Sequence, residues 1–175
     1  MKIGVVSDTH RNIENLESVI NWLARRHHIT ALYHLGDDHE DTASFADRYV
    51  DIVHVPGTYH AGYRDGSLEK KKIETVLGLR ILLVHAMEQD VGSDDRMHAD
   101  IILNGHTHKA EMHLADGLFF MNPGHLKGPL DKNMPPSFGL LDIHDKEVTA
   151  EIYNLDFKPI QSMRMGRTEG GLHKL

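Results

Sequence analysis

Three short apolar runs set the architecture of the N-terminal half: Ile3-Gly4-Val5-Val6, Ala31-Leu32-Tyr33-His34-Leu35 and Ile52-Val53-His54-Val55. Each is too brief for a buried helix and reads as a strand. Between the first two, Ile13, Leu16, Val19, Ile20 and Leu23 recur at helical spacing. Asn12 stands where a helix is capped, and Arg25, Arg26, His27 and His28 stand where cations suit a helix C-terminus. A shorter helix is expected from about Thr42 to Tyr49. A β–α–β–α–β rhythm requires parallel strands joined by crossovers, and such sheets collect ligands outside the strands' carboxyl ends.

Each strand delivers polar residues to that same edge. The first ends in Ser7-Asp8-Thr9-His10, the second in Gly36-Asp37-Asp38, and the third in Pro56-Gly57-Thr58-Tyr59-His60. After residue 60 the pattern changes. The stretch from Ala61 to Lys72 reads as a loop at the rim of a site. Ile73 to Leu77 and Arg80 to Val84 read as a hairpin across Gly78, with the second strand running into His85. A very short helix is expected to start at Gly92-Ser93-Asp94-Asp95, and Glu88 to His98 is short for a full crossover helix. Asp100-Ile101-Ile102-Leu103-Asn104 leads into Gly105-His106-Thr107-His108, where two imidazoles two residues apart follow a glycine that allows a sharp bend. Two further hairpins are expected, Lys109 to Ala115 with Leu118 to Met121, and Phe138 to Ile143 with Val148 to Leu155. The proline-containing stretch Lys127 to Pro136 reads as a loop. The expectation is one domain over residues 1–160, followed by a loosely ordered tail over residues 161–175.

Composition narrows the chemistry. No cysteine is present, so thiolate sites and disulfides are excluded and any metal must be held by nitrogen and oxygen. That usage fits a cytoplasmic protein. A formal charge of −7 argues against a nucleic-acid groove as the main surface. No apolar run nears the ~20 residues that span a bilayer, so no membrane partner is expected. The G-x-S-x-G elbow of serine hydrolases and the P-loop are both missing from the sequence.

In chain order the strand ends give Asp8-x-His10, Gly36-Asp37, Gly57-x-x-His60, His85 and Gly105-His106-x-His108. This series resembles the calcineurin-like metallophosphoesterases, in particular the small phosphodiesterase type of bacteria and archaea. Asn122-Pro123-Gly124 resembles the start of a strand ending common in those small members. The resemblance implies an α/β fold of two mixed β-sheets packed as a sandwich and flanked by helices. It implies a hydrolase for phosphate esters, diesters favoured, acting by in-line attack of a metal-bridging hydroxide. It also implies two divalent transition-metal ions, drawn from Mn, Ni, Fe, Zn or Co. By that resemblance the first metal takes Asp8, His10, Asp37 and His108, and the second takes Asp37, His85, His106 and Thr58. His60 falls where relatives contact the phosphate or assist the leaving group, a role a group with reference pKa near 6.5 suits at neutral pH. His39 and Tyr59, with Tyr63, Arg64 and His125, are candidates for the substrate side, and the expected partner is a small phosphate ester. Edge strands in the second half are compatible with a homodimer.

Position 58 departs from the family pattern, which has Asn there, whereas this chain has Thr58. A hydroxyl on a shorter side chain is a poorer cation ligand than an amide oxygen. The second metal is therefore expected to bind more weakly, or with water, Asp38, His39 or His60 filling the gap. The superfamily also contains a scaffold subunit of the retromer coat with a degenerate metal site, so a catalytically weak or inactive scaffold is the alternative reading. Titrating metal into wild type and Thr58→Asn tests the point: the substitution is expected to tighten the weaker site, and equal stoichiometry and affinity in both proteins would remove the argument.

Overall fold

The computed structural model describes residues 1–45 and 50–175. Two β-sheets form its centre. The first carries β1 (Lys2–Val6), β2 (Ala31–His34), β3 (Asp51–His54), β9 (Ser137–Ile143), β10 (Glu147–Asn154), β11 (Pro159–Thr168) and β12 (Gly171–Lys174), in the order β12-β11-β10-β9-β1-β2-β3. The second carries β4 (Lys71–Val76), β5 (Leu79–Val84), β6 (Ile101–Leu103), β7 (Glu111–Ala115) and β8 (Leu118–Asn122), in the order β4-β5-β6-β8-β7. Both sheets are mixed. β1, β2 and β3 run parallel, as do β5, β6 and β8, while β9 lies antiparallel to β1 and β7 antiparallel to β8.

The two sheets bury their facing sides against each other. Ile3, Val5, Tyr33, Leu141 and Ile152 of the first meet Ile81, Leu83, Leu103, Phe119 and Met121 of the second. The outer face of the first sheet is covered by α1 (Ile13–Trp22), whose Leu16, Val19 and Ile20 pack with Val6, Leu32, Phe138 and Tyr153. Asn12 caps this helix by accepting from the Asn15 N–H at 3.1 Å. A π-helical turn, Leu23–His27, closes the helix, and His28 at φ 55° ends it in the left-handed conformation. The outer face of the second sheet is covered more thinly. Met87, Val91 and Ala99, in and beside the short helices α3 (Met87–Asp90) and α4 (Ser93–His98), pack on Leu82, Val84, Ile102 and Phe120. These two single turns carry the chain from β5 to parallel β6 in place of one long crossover helix, as the short spacing from Glu88 to His98 foretold.

Three expectations need correction. The segment from Ala61 to Lys72 is not all loop, because α2 (Ala61–Asp65) forms in it. His60 caps α2, its Nδ1 accepting from the Gly62 N–H, and Gly66 at φ 75° ends it. The helix expected over 42–49 is a 3₁₀ segment, His39–Phe45, and the remainder of that expectation lies outside the described residues. The stretch over residues 161–175 is not a loose tail. It completes β11 and supplies β12, and it buries Met165 and Leu172 in the inter-sheet core. Its glycines suggested disorder, but Gly166 lies opposite His173 in the β11–β12 ladder, and Gly171 at φ 105° begins β12.

No described helix is long and apolar enough to cross a membrane. A chain ending at Lys158 leaves the inter-sheet core without two buried side chains, and each such loss costs about 2–5 kcal/mol. Urea unfolding of that truncation is expected to show a midpoint well below that of the full chain. An unchanged midpoint would mean that β11 and β12 contribute nothing to the fold.

Candidate metal centre

The carboxyl ends of β1, β2, β5 and β6 converge, and the folding of each end explains the side chain it presents. Asp8 follows β1 and is wholly buried, Asp37 follows β2, His85 ends β5, and His106 and His108 follow β6. Five positions expected to bind metal have left-handed backbone: Asp8 at φ 53°, His10 at 47°, Asp37 at 51°, His106 at 70° and His108 at 65°. Aspartate and histidine tolerate this region better than most residues, yet each instance costs roughly 1–2 kcal/mol. The turned backbone lets consecutive strand ends aim at one point, and two glycines permit the approach. A Cβ on Gly57 would collide with Asp37 Oδ1, and one on Gly105 would collide with Ser7 Oγ and stand 2.8 Å from Asp8 Oδ2.

Two groups of ligand atoms result. Asp8, His10 and His108 form one, and Asp8, Asp37 and His85 form the other, with the atoms of each group within 4.8 Å of one another. His108 Nε2 lies 3.1 Å from Asp8 Oδ1 and 3.4 Å from His10 Nε2. His85 Nε2 lies 3.5 Å from Asp37 Oδ1, and His10 Nε2 lies 3.8 Å from Asp37 Oδ2. Asp8 therefore stands in both groups, whereas the sequence reading placed only Asp37 between two ions. His106 packs its ring 5.0 Å from that of His85 and binds Asp8 Oδ2 through its backbone N–H at 3.0 Å. Thr58 stands at the same edge, half-buried, directly after the glycine that packs on Asp37.

The donor set fits divalent cations. Asp8 Oδ1, Asp37 Oδ1 and His85 Nε2 are buried without a hydrogen-bond partner among the described residues. Buried acceptors without donors are costly, and a cation satisfies several at once. His85 Nδ1 is 2.6 Å from the Leu35 carbonyl, so it carries a proton and leaves Nε2 as the atom that would face a cation beside Asp37. Burial works to raise the pKa of Asp8, but His108, His85 and Ser7 hold it below the ordinary carboxylate value. Burial likewise opposes ionisation of Asp37, and His85 and His10 overcome it. Both carboxylates thus stand ready as anionic ligands, and imidazole with carboxylate suits the first-row transition metals.

A third cluster lies beside these, where His39 Nδ1 is 3.5 Å and His60 Nε2 is 2.8 Å from the Glu40 carboxylate. It reads differently. His60 Nδ1 accepts from Gly62 N–H at 3.0 Å, so a neutral ring carries its proton on Nε2 and donates to Glu40. A nitrogen bearing a proton is a donor, not a ligand. His39, expected on the substrate side, is only 5% exposed and packs beneath the rings of His54 and His60 at 4.4 and 5.2 Å. It supports His60 rather than facing a ligand. Tyr59 is 74% exposed and lines the cleft with His60 and Arg64, while Tyr63 and His125 are buried. The cleft above the centre holds about 780 Å³, and its rim mixes charges: Arg11, Arg64, Lys127 and Lys132 stand beside Asp38, Glu40 and Asp131.

Several supporting residues escaped the sequence reading. His34 is fully buried and pushed down to about 3 by burial and by His39, so it stays neutral, with Nε2 3.3 Å from Thr9 Oγ1 and Nδ1 accepting from Gly36 N–H. Thr9 Oγ1 lies 2.7 Å from Asp41 Oδ2, tying the end of β1 to the segment after β2. Asp131 contacts His108, and a hydrogen bond from Lys127 pulls its pKa down to about 2. Only the position of Glu40, three residues past Asp37, was accessible to spacing arguments. Asp131 sits in a loop without periodicity.

The model of the calcineurin-like phosphoesterase superfamily domain matches residues 1–146. Phosphodiesterase MJ0936 of Methanocaldococcus jannaschii is 24% identical over 170 residues, covering 84% of this chain and 96% of that protein. Among solved structures, Yfce, a phosphoesterase from E. coli, superposes with a TM-score of 0.70 at 19% identity, covering 93% of this chain and 98% of that one. Wild-type Vps29 of Entamoeba histolytica complexed with Zn²⁺ does so with a TM-score of 0.69 at 24% identity, covering 95% and 99%. A family model that spans residues 1–146 covers most of the sequence, and the chain belongs to the calcineurin-like phosphoesterase superfamily.

Proposed function

We propose that this protein hydrolyses phosphate esters, diesters in preference to monoesters, by in-line attack of water on phosphorus at the centre built from Asp8, His10, Asp37, Thr58, His85, His106 and His108. The observation that carries the reading is the pair of buried carboxylate oxygens of Asp8 and Asp37, without a hydrogen-bond partner among the described residues, beneath an open cleft. Two divalent metal ions, when bound, supply Lewis acidity at the phosphoryl oxygens and lower the pKa of the attacking water.

The chain's own groups do the remaining work. Arg11, Lys127 and Lys132 attract the anionic ester to the rim. The volume of the cleft is in the range that encloses a drug-sized ligand, so both arms of a diester have room. His60 presents an Nε2–H, fixed by the N-terminus of α2 on one side and by Glu40 on the other. We assign it the proton donated to the leaving oxygen, given from the doubly protonated ring once the Nδ1 contact with Gly62 N–H opens, so that a neutral imidazole remains. Tyr59, exposed beside it, offers an aromatic face to a leaving group. The scaffold reading draws support from Thr58 and from the likeness to Vps29. Against it stand the strained strand ends and the buried ligand set, which scaffolding does not need.

With Mn²⁺, Ni²⁺, Co²⁺ or Zn²⁺ added, turnover of bis-p-nitrophenyl phosphate is expected to exceed that of p-nitrophenyl phosphate, and Asp37→Ala is expected to abolish both. No turnover with any metal, in wild type and in Thr58→Asn, would favour the scaffold. His60→Ala is expected to lower kcat by roughly 10²- to 10⁴-fold for an alkyl ester, whose leaving group needs a proton, and far less for a p-nitrophenyl ester. Equal effects on both esters would remove His60 from proton transfer.

A further inference from the structure

Asp131 touches His108 yet belongs to neither of the two groups of ligand atoms. Asp131 lies in the stretch from Lys127 to Pro136, outside every described helix and strand, yet it is held firmly. Its backbone pairs reciprocally with Met134, N–H to carbonyl at 3.0 and 2.8 Å, across Lys132 at φ 49° and Asn133 at φ 62°. Two consecutive left-handed residues closed in this way form a tight primed turn. Three contacts fasten the turn to the strand-end histidines. Asp131 Oδ2 meets His108 Nδ1, Lys132 Nζ donates to the His106 carbonyl at 3.2 Å, and His125, whose ring lies 5.2 Å from that of His108, reaches the Met134 carbonyl through Nε2 at 2.9 Å. The other oxygen of Asp131 accepts from Lys127 Nζ at 2.9 Å.

We propose that Asp131 is a positioning residue for the metal centre, holding His108 with its proton on Nδ1 so that the Nε2 lone pair faces the ion shared with Asp8 and His10. A carboxylate only accepts, so a hydrogen bond to it requires the proton on Nδ1. The opposite nitrogen lies 3.1 Å from Asp8 Oδ1 and 3.4 Å from His10 Nε2. With the proton on Nδ1, His108 Nε2 and Asp8 Oδ1 face each other as lone pairs, an arrangement that a cation resolves. Without Asp131 the neutral ring gains by moving its proton to Nε2 and donating it to Asp8, which blocks the ligand atom. The carboxylate also makes the ring a better donor to the ion, as carboxylate partners of metal-bound histidines do. His85 obtains the same orientation from a backbone carbonyl, Leu35, whereas His108 draws it from a side chain 23 residues away in sequence. Lys127 adds a counter-charge that keeps the carboxylate in place.

The inference rests on the ligand assignment in the proposed function, and its test separates the two. Calorimetric titration of Mn²⁺ or Zn²⁺ into metal-free wild type, Asp131→Ala and Asp131→Asn is the first measurement. Alanine is expected to weaken one of the two ions by 10- to 100-fold and leave the other unchanged, because His85 and Asp37 do not touch the turn. Asparagine has one acceptor oxygen in place of the two that meet His108 and Lys127; turned toward Nδ1, that oxygen is expected to recover part of the loss. The second measurement is proton NMR of the Zn²⁺-loaded protein. The His108 Nδ1–H is expected as a downfield, exchange-protected resonance in wild type and asparagine, and as a fast-exchanging one in alanine. Unchanged affinity in alanine, equal weakening of both ions, or a protected Nδ1–H without Asp131 would each overturn the proposal, whatever the phosphoesterase assay shows. A wild type that binds ions normally but turns over no ester would sink the hydrolase reading and leave this one intact.

Discussion

Two aspartates buried side by side with unpartnered oxygens are the constraint from which the rest of the structure follows. Asp8 and Asp37 end neighbouring parallel strands, and burial alone would protonate them. They remain anionic because histidines surround them: His108 and His85 for Asp8, His85 and His10 for Asp37. Those histidines come from the end of β1 and from the ends of two strands of the other sheet, β5 and β6. The sandwich must therefore pack with both carboxyl edges aligned, and the core between the sheets supplies that alignment through side chains such as Tyr33, Leu83 and Leu103. Core packing and site geometry are one requirement in this fold.

The same constraint accounts for the strain. Five strand-end positions in the left-handed region add up to several kcal/mol at roughly 1–2 kcal/mol each, a large fraction of a domain's usual 5–15 kcal/mol of stability. Such conformations persist only where the surroundings over-determine them. Here the over-determination is visible: Asp8 N–H binds the Gly36 carbonyl, Gly105 N–H binds the His85 carbonyl, and Asn122 Nδ2 binds the Gly105 carbonyl. Each strand end is thus pinned by its neighbour in the sheet or by the adjoining strand's terminus. The expected gain on ion binding offsets strain that would otherwise have no compensation.

Much of this was legible in the sequence, for a definite reason. Apolar runs ending in Asp, Gly and His show both the strand and its direction, and parallel strands bring such ends to one edge. The ligand candidates Asp8, His10, Asp37, His85 and His108 accordingly lie together. What escaped is what period and spacing do not encode. The C-terminal strands carry few apolar residues because β11 buries only two adjacent positions, Met165 and Gly166, so their pattern resembled a tail. His34 read as an ordinary strand residue, since nothing local reveals that its ring reaches Thr9. Asp131 lies in a stretch whose prolines and glycine signal irregular backbone, and the turn that aims it at His108 depends on tertiary contacts. His39 sat beside ligand candidates in sequence, but the 3₁₀ segment it begins turns it inward.

Histidine is the commonest reactive side chain of the site, and backbone and side-chain partners of one ring nitrogen decide what the other can do. Where the partner accepts, as the Leu35 carbonyl does for His85 and Asp131 for His108, the far nitrogen is the one free to give up its proton and take a cation beside the carboxylates. Where the partner donates, as the Gly62 N–H does for His60 and the Gly36 N–H for His34, the far nitrogen of a neutral ring carries a proton. The first pair faces the centre as candidate ligands. Of the second, His34 is sealed in the core and only braces Thr9, while His60 opens onto the cleft. A chain with fifteen histidines thus gives its rings different capacities through the hydrogen-bonding sense of a single neighbour, and residue type alone does not reveal which is which.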